Sequence, residues 1–304
     1  MDWQEILQKI KEGDARALAR AISLVENEYA GYENLLQSLP VSFTKIIGIT
    51  GPPGAGKSTL VDSLIGLLVK AGKKVGVLCI DPSSPFNLGA LLGDRIRMSE
   101  WYTHPSVFIR SLATRGAMGG LHPKIIEITD LMKAFAFDHI IIETVGVGQS
   151  EIEIAGLADV TVVVVVPEAG DEVQTMKAGL MEIADIFVVN KSDRPDADTF
   201  VKNLRLMLAP TFSKHYNEVP IVKTIASQKE GVKELLDILL HELQKSHITD
   251  KKFWLLAEKA YWLIQQKRMK DINKPELVKQ IEKSFQQNRA FNLYQFVAGY
   301  NTSK

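Results

Sequence analysis

Gly51-Pro52-Pro53-Gly54-Ala55-Gly56-Lys57-Ser58-Thr59 fits a glycine, four variable residues and then Gly-Lys-Ser/Thr. The apolar run Ile46-Ile47-Gly48-Ile49 precedes it, and Leu60-Val61-Asp62-Ser63-Leu64-Ile65 follows as the first turns of a helix. In that strand–loop–helix setting the stretch reads as a phosphate cradle. Its glycines let the backbone curl, so successive N–H groups and a helix N-terminus face anionic oxygens. Lys57 then reaches β- and γ-phosphates, and the Ser58 hydroxyl joins the shell of a Mg²⁺ ion.

On either side the rhythm changes. From about Lys45, apolar strands are expected over 45–50, 74–80, 107–111, 138–144, 160–166, 185–190 and 219–224. Near-continuous runs such as Val160-Thr161-Val162-Val163-Val164-Val165-Val166 suit strands buried on both faces of a largely parallel sheet. Helices are expected between them, over 57–71, 121–136, 172–184, 197–209 and 231–245. The fold class this predicts is α/β, a doubly wound, mostly parallel sheet. Residues 1–40 read as a helical prefix, with a break near Gly13-Asp14, and 41–245 as the nucleotide domain. Residues 246–304 read as a helical arm. In 251–266, Phe253, Leu256, Ala257, Ala260, Tyr261 and Ile264 share one face, while Trp254, Leu255, Trp262 and Leu263 lie on another. A helix apolar on two faces must bury both, so the arm is expected to build a homodimer.

Composition excludes several classes. Among 304 residues, 36 Lys plus Arg balance 36 Asp plus Glu, so no global field points to nucleic acid or an anionic membrane. No apolar run approaches the ~20 residues of a membrane span. Cys79 is the single cysteine, which rules out an internal disulfide and a cysteine-based metal site. Met1-Asp2-Trp3-Gln4-Glu5 starts acidic and amphipathic, unlike a secretory leader, and the expected location is cytoplasmic.

A second motif selects the base. Asn190-Lys191-Ser192-Asp193 follows the apolar strand that ends at Val189, where a doubly wound sheet places its ligand loops. The Asp193 carboxylate can accept two hydrogen bonds, from N1–H and the exocyclic amine of guanine. Adenine offers a lone pair at N1 and no amine there, and an unpaired buried carboxylate would cost ~1–3 kcal/mol or more. Lys191 would stack its stem along the base, and Asn190 would brace the loop or the base N7. Backbone N–H groups of Ala226, Ser227 and Gln228, after the strand 219–224, are candidates for guanine O6. The ligand is therefore GTP or GDP with Mg²⁺. Three acids complete the candidate metal side: Glu143, ending the run His139–Ile142; Asp81, ending Val75–Ile80; and Asp94. With Ser58 these exceed what one Mg²⁺ needs directly, so some act through water, position the attacking water or hold a switch loop. Gly146, three residues after Glu143, would let its N–H approach the γ-phosphate. Arg97, Arg110 and Arg115 are candidates to stabilise transition-state charge, and Gln149 to orient water.

Four runs taken together resemble the MeaB/MMAA family of GTPases, sometimes called ArgK. They are Asp81-Pro82-Ser83-Ser84-Pro85, Leu92-Gly93-Asp94-Arg95-Ile96-Arg97-Met98, Glu143-Thr144-Val145-Gly146-Val147-Gly148-Gln149-Ser150-Glu151 and Pro167-Glu168-Ala169-Gly170-Asp171-Glu172. The resemblance spans roughly 41–245. It implies a G-protein chaperone that hydrolyses GTP while gating adenosylcobalamin loading onto, and protecting, methylmalonyl-CoA mutase or a related acyl-CoA mutase. It also implies switch I over 82–98, switch II over 144–156 and a further signalling segment over 167–178 that includes Asp171, Gln174 and Lys177. Two places depart from the family pattern: Ala226-Ser227 stands where Ser-Ala is usual, and Phe86-Asn87-Leu88-Gly89-Ala90 where a Thr-Gly-Gly step is common. The alternatives are a metal-insertion GTPase of the nickel-enzyme maturation type, against which the six histidines show no ligand spacing, and a kinase or ATPase linked to amino-acid transport.

Overall fold

The computed structural model describes residues 2–81, 98–114, 121–144, 146, 150–167, 178–212, 219–245, 250–269, 271–287 and 291–300. Asp94, Arg97, Arg115, Gln149, Asp171, Gln174 and Lys177 lie outside them, with residues 82–97 of switch I, 145 and 147–149 of switch II and 168–177 of the further signalling segment. The chain divides into two units, Met1–Ser246 and His247–Lys304.

The first unit is built on seven strands: β1 (Lys45–Thr50), β2 (Val75–Asp81), β3 (Val107–Ala113), β4 (His139–Glu143), β5 (Val160–Val165), β6 (Ile186–Asn190) and β7 (Ile221–Thr224). Their spatial order is β3-β2-β4-β1-β5-β6-β7, and every pair is parallel. The doubly wound parallel sheet expected from the apolar runs is present. β1 sits between β4 and β5, so the loop leaving it stands where the winding changes direction, the usual place for a ligand in such sheets.

Alternation within the strands feeds two faces. Ile47, Ile49, Val77 and Ile141 pack under α4 (Lys57–Lys70) and α9 (Val232–Gln244). Ile46, Leu78, Ile80, Ile140 and Ile142 face the other way, onto α5 (Ile125–Lys133) and the N-terminal helices. The β5–β6 end is covered by α7 (Ala178–Ile183) and α8 (Ala197–Phe212) around Phe187 and Leu204. Strands buried on both faces need apolar residues at every position, which is why they read as unbroken runs.

The N-terminal segment forms three helices: α1 (Trp3–Lys11), α2 (Ala15–Glu26) and α3 (Tyr32–Gln37). The break at Gly13-Asp14 is a cap. Asp14 accepts from the N–H groups of Arg16 and Ala17, and Asp2 likewise opens α1 through Gln4 and Glu5. A second break, at 27–31, was not expected; Glu28 and Gly31 take positive φ there. Ile6, Leu7, Ile10, Leu18, Ile22 and Val25 are buried in the same cluster as the sheet, so the prefix is a layer of this unit.

A charged seam reinforces that contact. Arg110 of β3 donates through Nη2 to Ser23 Oγ (3.1 Å) and Glu26 Oε2 (3.0 Å) of α2. Lys124 reaches Glu28 (2.8 Å), Tyr32 Oη (3.0 Å) and Glu127 (3.4 Å). Burial works against the charge of Lys124, but hydrogen bonds to Glu28 and Tyr32 and the field of Glu127 outweigh it and raise its pKa.

The second unit holds α10 (Asp250–Arg268), α11 (Lys274–Gln287) and α12 (Leu293–Ala298). The last was not legible as a separate helix; Asn292 caps it by accepting from Tyr294 and Gln295 N–H. Among the described residues, no helix is long and apolar enough to cross a membrane.

Candidate nucleotide site

The phosphate loop runs from the end of β1 into α4, with positive φ at Gly51, Gly54 and Gly56. Pro52, Pro53 and Ala55 fill the turn, and Ala55 is fully buried. Lys57 is buried, and its Nζ donates to the carbonyls of Gly51 (2.9 Å) and Pro52 (3.0 Å). The ammonium therefore lies over the loop rather than out in solvent. Ser58 and Thr59 continue the first turn of α4. Ser58 Oγ donates to Glu143 Oε1 at 2.6 Å, with both side chains buried.

That contact follows from the strand ends. β4 lies beside β1 with Ile49 opposite Glu143. One step on, Thr50 and Thr144 hydroxyls meet at 2.8 Å and lock the two ends together. Gly146 follows with φ +85°, a conformation that favours glycine. A Cβ there would strike the Gly51 carbonyl oxygen and come within 2.7 Å of Lys57 Nζ. The Gly146 backbone thus lies against the phosphate loop, as its proposed approach to a γ-phosphate requires. Asp81 is buried at the end of β2, two residues past Cys79, which pairs with Glu143. A hydroxyl and carboxylates are hard oxygen donors, and Mg²⁺ is commonly held by one or two such groups plus waters and phosphate oxygens. The residues present fit that ion. Among the described residues, no cluster of three or more His, Cys, Asp or Glu exists that would suit a metal caged wholly by protein.

The base side is joined to the phosphate side by one residue. Asn190, buried at the end of β6, donates from Nδ2 to the Ala55 carbonyl (2.8 Å). Its Oδ1 accepts from Thr224 Oγ1 (3.0 Å) and the Ala226 N–H (3.1 Å). Of the two roles open to Asn190, bracing is the one the geometry displays. Gly56 leaves room for it, since a Cβ there would land on Asn190 Nδ2. Lys191 has φ +57° and is half-buried, and Asp193 is exposed beyond it. Ala226–Gln228 forms one turn of 3₁₀ helix. Within it the Ala226 N–H is taken by Asn190 and the Gln228 N–H by the Ile225 carbonyl.

One expectation changes. Arg110 is held by Glu26 and Ser23 on the prefix side, so its charge is committed away from the phosphate loop. The segment read as switch II runs into a helix that was not expected from the sequence, α6 (Ser150–Leu157), with Ile154 fully buried against β1. Sequence reasoning also missed a contact on the far side of α4. Trp101 Nε1 donates to Asp62 Oδ1 at 2.7 Å, and a Cβ on Gly66 would meet its ring. The small residue at 66, one turn after Asp62, was the available signal.

Comparisons with known proteins agree with this arrangement. Residues 18–276 match the family described as Methylmalonyl Co-A mutase-associated GTPase MeaB. A Pyrococcus abyssi protein named as a GTPase is 50% identical over 239 residues, which is 77% of this chain and 74% of that one. Escherichia coli GTPase ArgK is 36% identical over 76% of this chain and 73% of its own length. The Mus musculus methylmalonic aciduria type A homolog is 33% identical over 80% of this chain and 66% of its own. A crystal structure titled LAO/AO transport system kinase superposes with a TM-score of 0.70 at 26% identity, covering 94% of this chain and 89% of that one. The match begins inside α2 and ends inside α11, so the likeness reaches beyond the nucleotide domain on both sides. On this footing the chain belongs to the MeaB family of P-loop GTPases.

Proposed function

We propose that this GTPase acts as a nucleotide-dependent chaperone of an adenosylcobalamin-dependent acyl-CoA mutase, with methylmalonyl-CoA mutase as the first candidate. The observation that carries the reading is the match of residues 18–276 to a family described by its association with that mutase. As in other members of a GTPase family, the nucleotide is GTP or GDP and the usual ion is Mg²⁺. In this reading, residues 51–59 wrap the phosphates. Lys57 turns from the Gly51 and Pro52 carbonyls toward β- and γ-oxygens, and the Gly146 N–H senses the γ-phosphate. Ser58, Glu143 and Asp81, with Asp94, hold the ion directly or through water. Mg²⁺ supplies charge neutralisation on the phosphates. Asp193 reads guanine N1–H and the amine, Lys191 covers the base, and Ser227 faces O6.

Phosphoryl transfer relies mainly on positioning and charge stabilisation, and the motifs of this chain include no obvious general base. Basal turnover is therefore expected to be slow and to rise when the mutase docks. Residues 246–304 are assigned to self-association. Phe253, Tyr261, Ile264, Val278, Phe285 and Val297 of that unit are exposed, an apolar set that a second copy would cover.

The test is co-purification with a cobalamin-dependent mutase in GTP and in GDP, with cobalamin present. Association that changes with nucleotide, and GTP hydrolysis that accelerates on association, are expected. No association in either state would remove the chaperone role. The transport-kinase title of the superposed structure is addressed by competition between GDP and ADP. Equal affinity would remove guanine selectivity, and Asp193→Asn is expected to shift preference toward xanthine nucleotides.

A further inference from the structure

Ser63 lies on α4, one and a half turns past Ser58 and therefore off the phosphate-facing end of the helix. It is buried, 4% exposed, and its hydroxyl donates to the carbonyl oxygen of Ala226 at 3.0 Å. That carbonyl belongs to the same peptide unit as the N–H of Ser227. In a trans peptide the C=O and N–H vectors point in opposite directions. A donor from α4 on the oxygen therefore aims the Ser227 N–H away from α4.

The neighbouring N–H groups are already spent. Ala226 N–H bonds Asn190 Oδ1, Gln228 N–H bonds the Ile225 carbonyl and Lys229 N–H bonds the Ala226 carbonyl. Among the described residues, the Ser227 N–H has no such acceptor. Among the described residues, one backbone N–H of the turn is thus left available, and the carbonyl of its peptide is held from α4 by Ser63 and within the turn by the Lys229 N–H. A hydrogen bond to the carbonyl also polarises the peptide and strengthens its N–H as a donor.

We propose that Ser63 is a positioning residue for base recognition: it sets the Ala226–Ser227 peptide so that the Ser227 N–H bonds guanine O6. This rests on the guanine reading above. It goes further by giving a residue of the phosphate-binding helix a part in base selectivity.

The experiment measures equilibrium binding of the full chain to GDP, 6-thio-GDP and ADP. The sulfur of 6-thio-GDP is a poor acceptor at the O6 position, while the rest of the base is unchanged. Ser63→Ala is expected to raise the Kd for GDP about five-fold, which is ~1 kcal/mol. The same change is expected to raise the Kd for 6-thio-GDP less than about two-fold, because the affected bond is already weak there. Ser63→Thr keeps the hydroxyl and is expected to restore GDP binding. If Ser63→Ala does not fold, Ser63→Cys, near in size but a weak donor, is expected to give the same separation. Equal losses for GDP and 6-thio-GDP, or no loss for either, would overturn the assignment. Equal wild-type affinity for GDP and ADP would overturn the guanine reading itself and this inference with it, so the two failures are distinguishable.

Discussion

Replacing Asn190 with alanine tests how the site is held together. The side chain makes three hydrogen bonds from a position only 2% exposed: to the Ala55 carbonyl, from the Thr224 hydroxyl and from the Ala226 N–H. Each is worth ~0.5–1.5 kcal/mol net, so losing all three costs about 3 kcal/mol. For a unit of this size that lowers Tm by roughly 6–12 °C, at about 2–4 °C per kcal/mol. Asn190→Ala should also weaken GDP, because the phosphate loop and the base loop lose the strut that fixes their separation.

A double-mutant cycle isolates the contact. Gly56→Ala in the wild type meets two costs: a left-handed φ of +87°, about 1–2 kcal/mol, and a methyl placed on Asn190 Nδ2. In the Asn190→Ala background only the first remains. The two substitutions should therefore couple by about 0.5–3 kcal/mol, with the double variant more stable than additivity allows. Denaturant unfolding and isothermal GDP titration on the four proteins read both quantities. Strict additivity, or an Asn190→Ala protein as stable and as tight for GDP as the parent, would refute the strut.

Three further outcomes are expected. Gly146→Ala should lower GTPase kcat/KM by at least about ten-fold, since its Cβ would displace the Gly51 carbonyl or Lys57; steady-state phosphate release measures it. Glu26→Ala should destabilise the first unit by about 1–2 kcal/mol, between the values for surface and buried pairs, and should raise hydrogen exchange in α2, because Arg110 then keeps only Ser23 in the prefix. His139 has its pKa lowered, chiefly by burial, with Lys73 adding to the effect and Asp138 opposing it. A depressed histidine favours the native state fully above the unfolded pKa of ~6.5, and that contribution is lost as pH falls through the folded value. Tm should fall on acidification below about pH 6.5, and His139→Gln should flatten that slope.

Much of this was readable from residue order because the chemistry demands it locally. A phosphate cradle needs glycines, a lysine and a hydroxyl within nine consecutive residues, and a strand buried on both faces needs an unbroken apolar run. The seven strands of the sheet could be bracketed on that basis. Glu143 and Asp81 stood out as acids at the ends of such runs. Side-chain direction was not readable in the same way. Arg110 was a candidate for the phosphate side, but the pleat points it at α2, where Glu26 waits. Asn190 offered two roles, and only the approach of the Ala55 carbonyl and the Ala226 N–H showed the bracing one.

The sequence alone thus determined the nucleotide class, the sheet and the stations along it, because those depend on short spacings and on burial period. The tertiary structure decided which distant groups meet. Ser58 and Glu143 are 85 residues apart, Asn190 and Ala55 135, Ser63 and Ala226 163. Strand order brings each pair together: β1 lies between β4 and β5, and α4 packs under the turn that follows β7. No local pattern records that order, since parallel strands joined by helical crossovers can be arranged in several ways with the same residue periodicity.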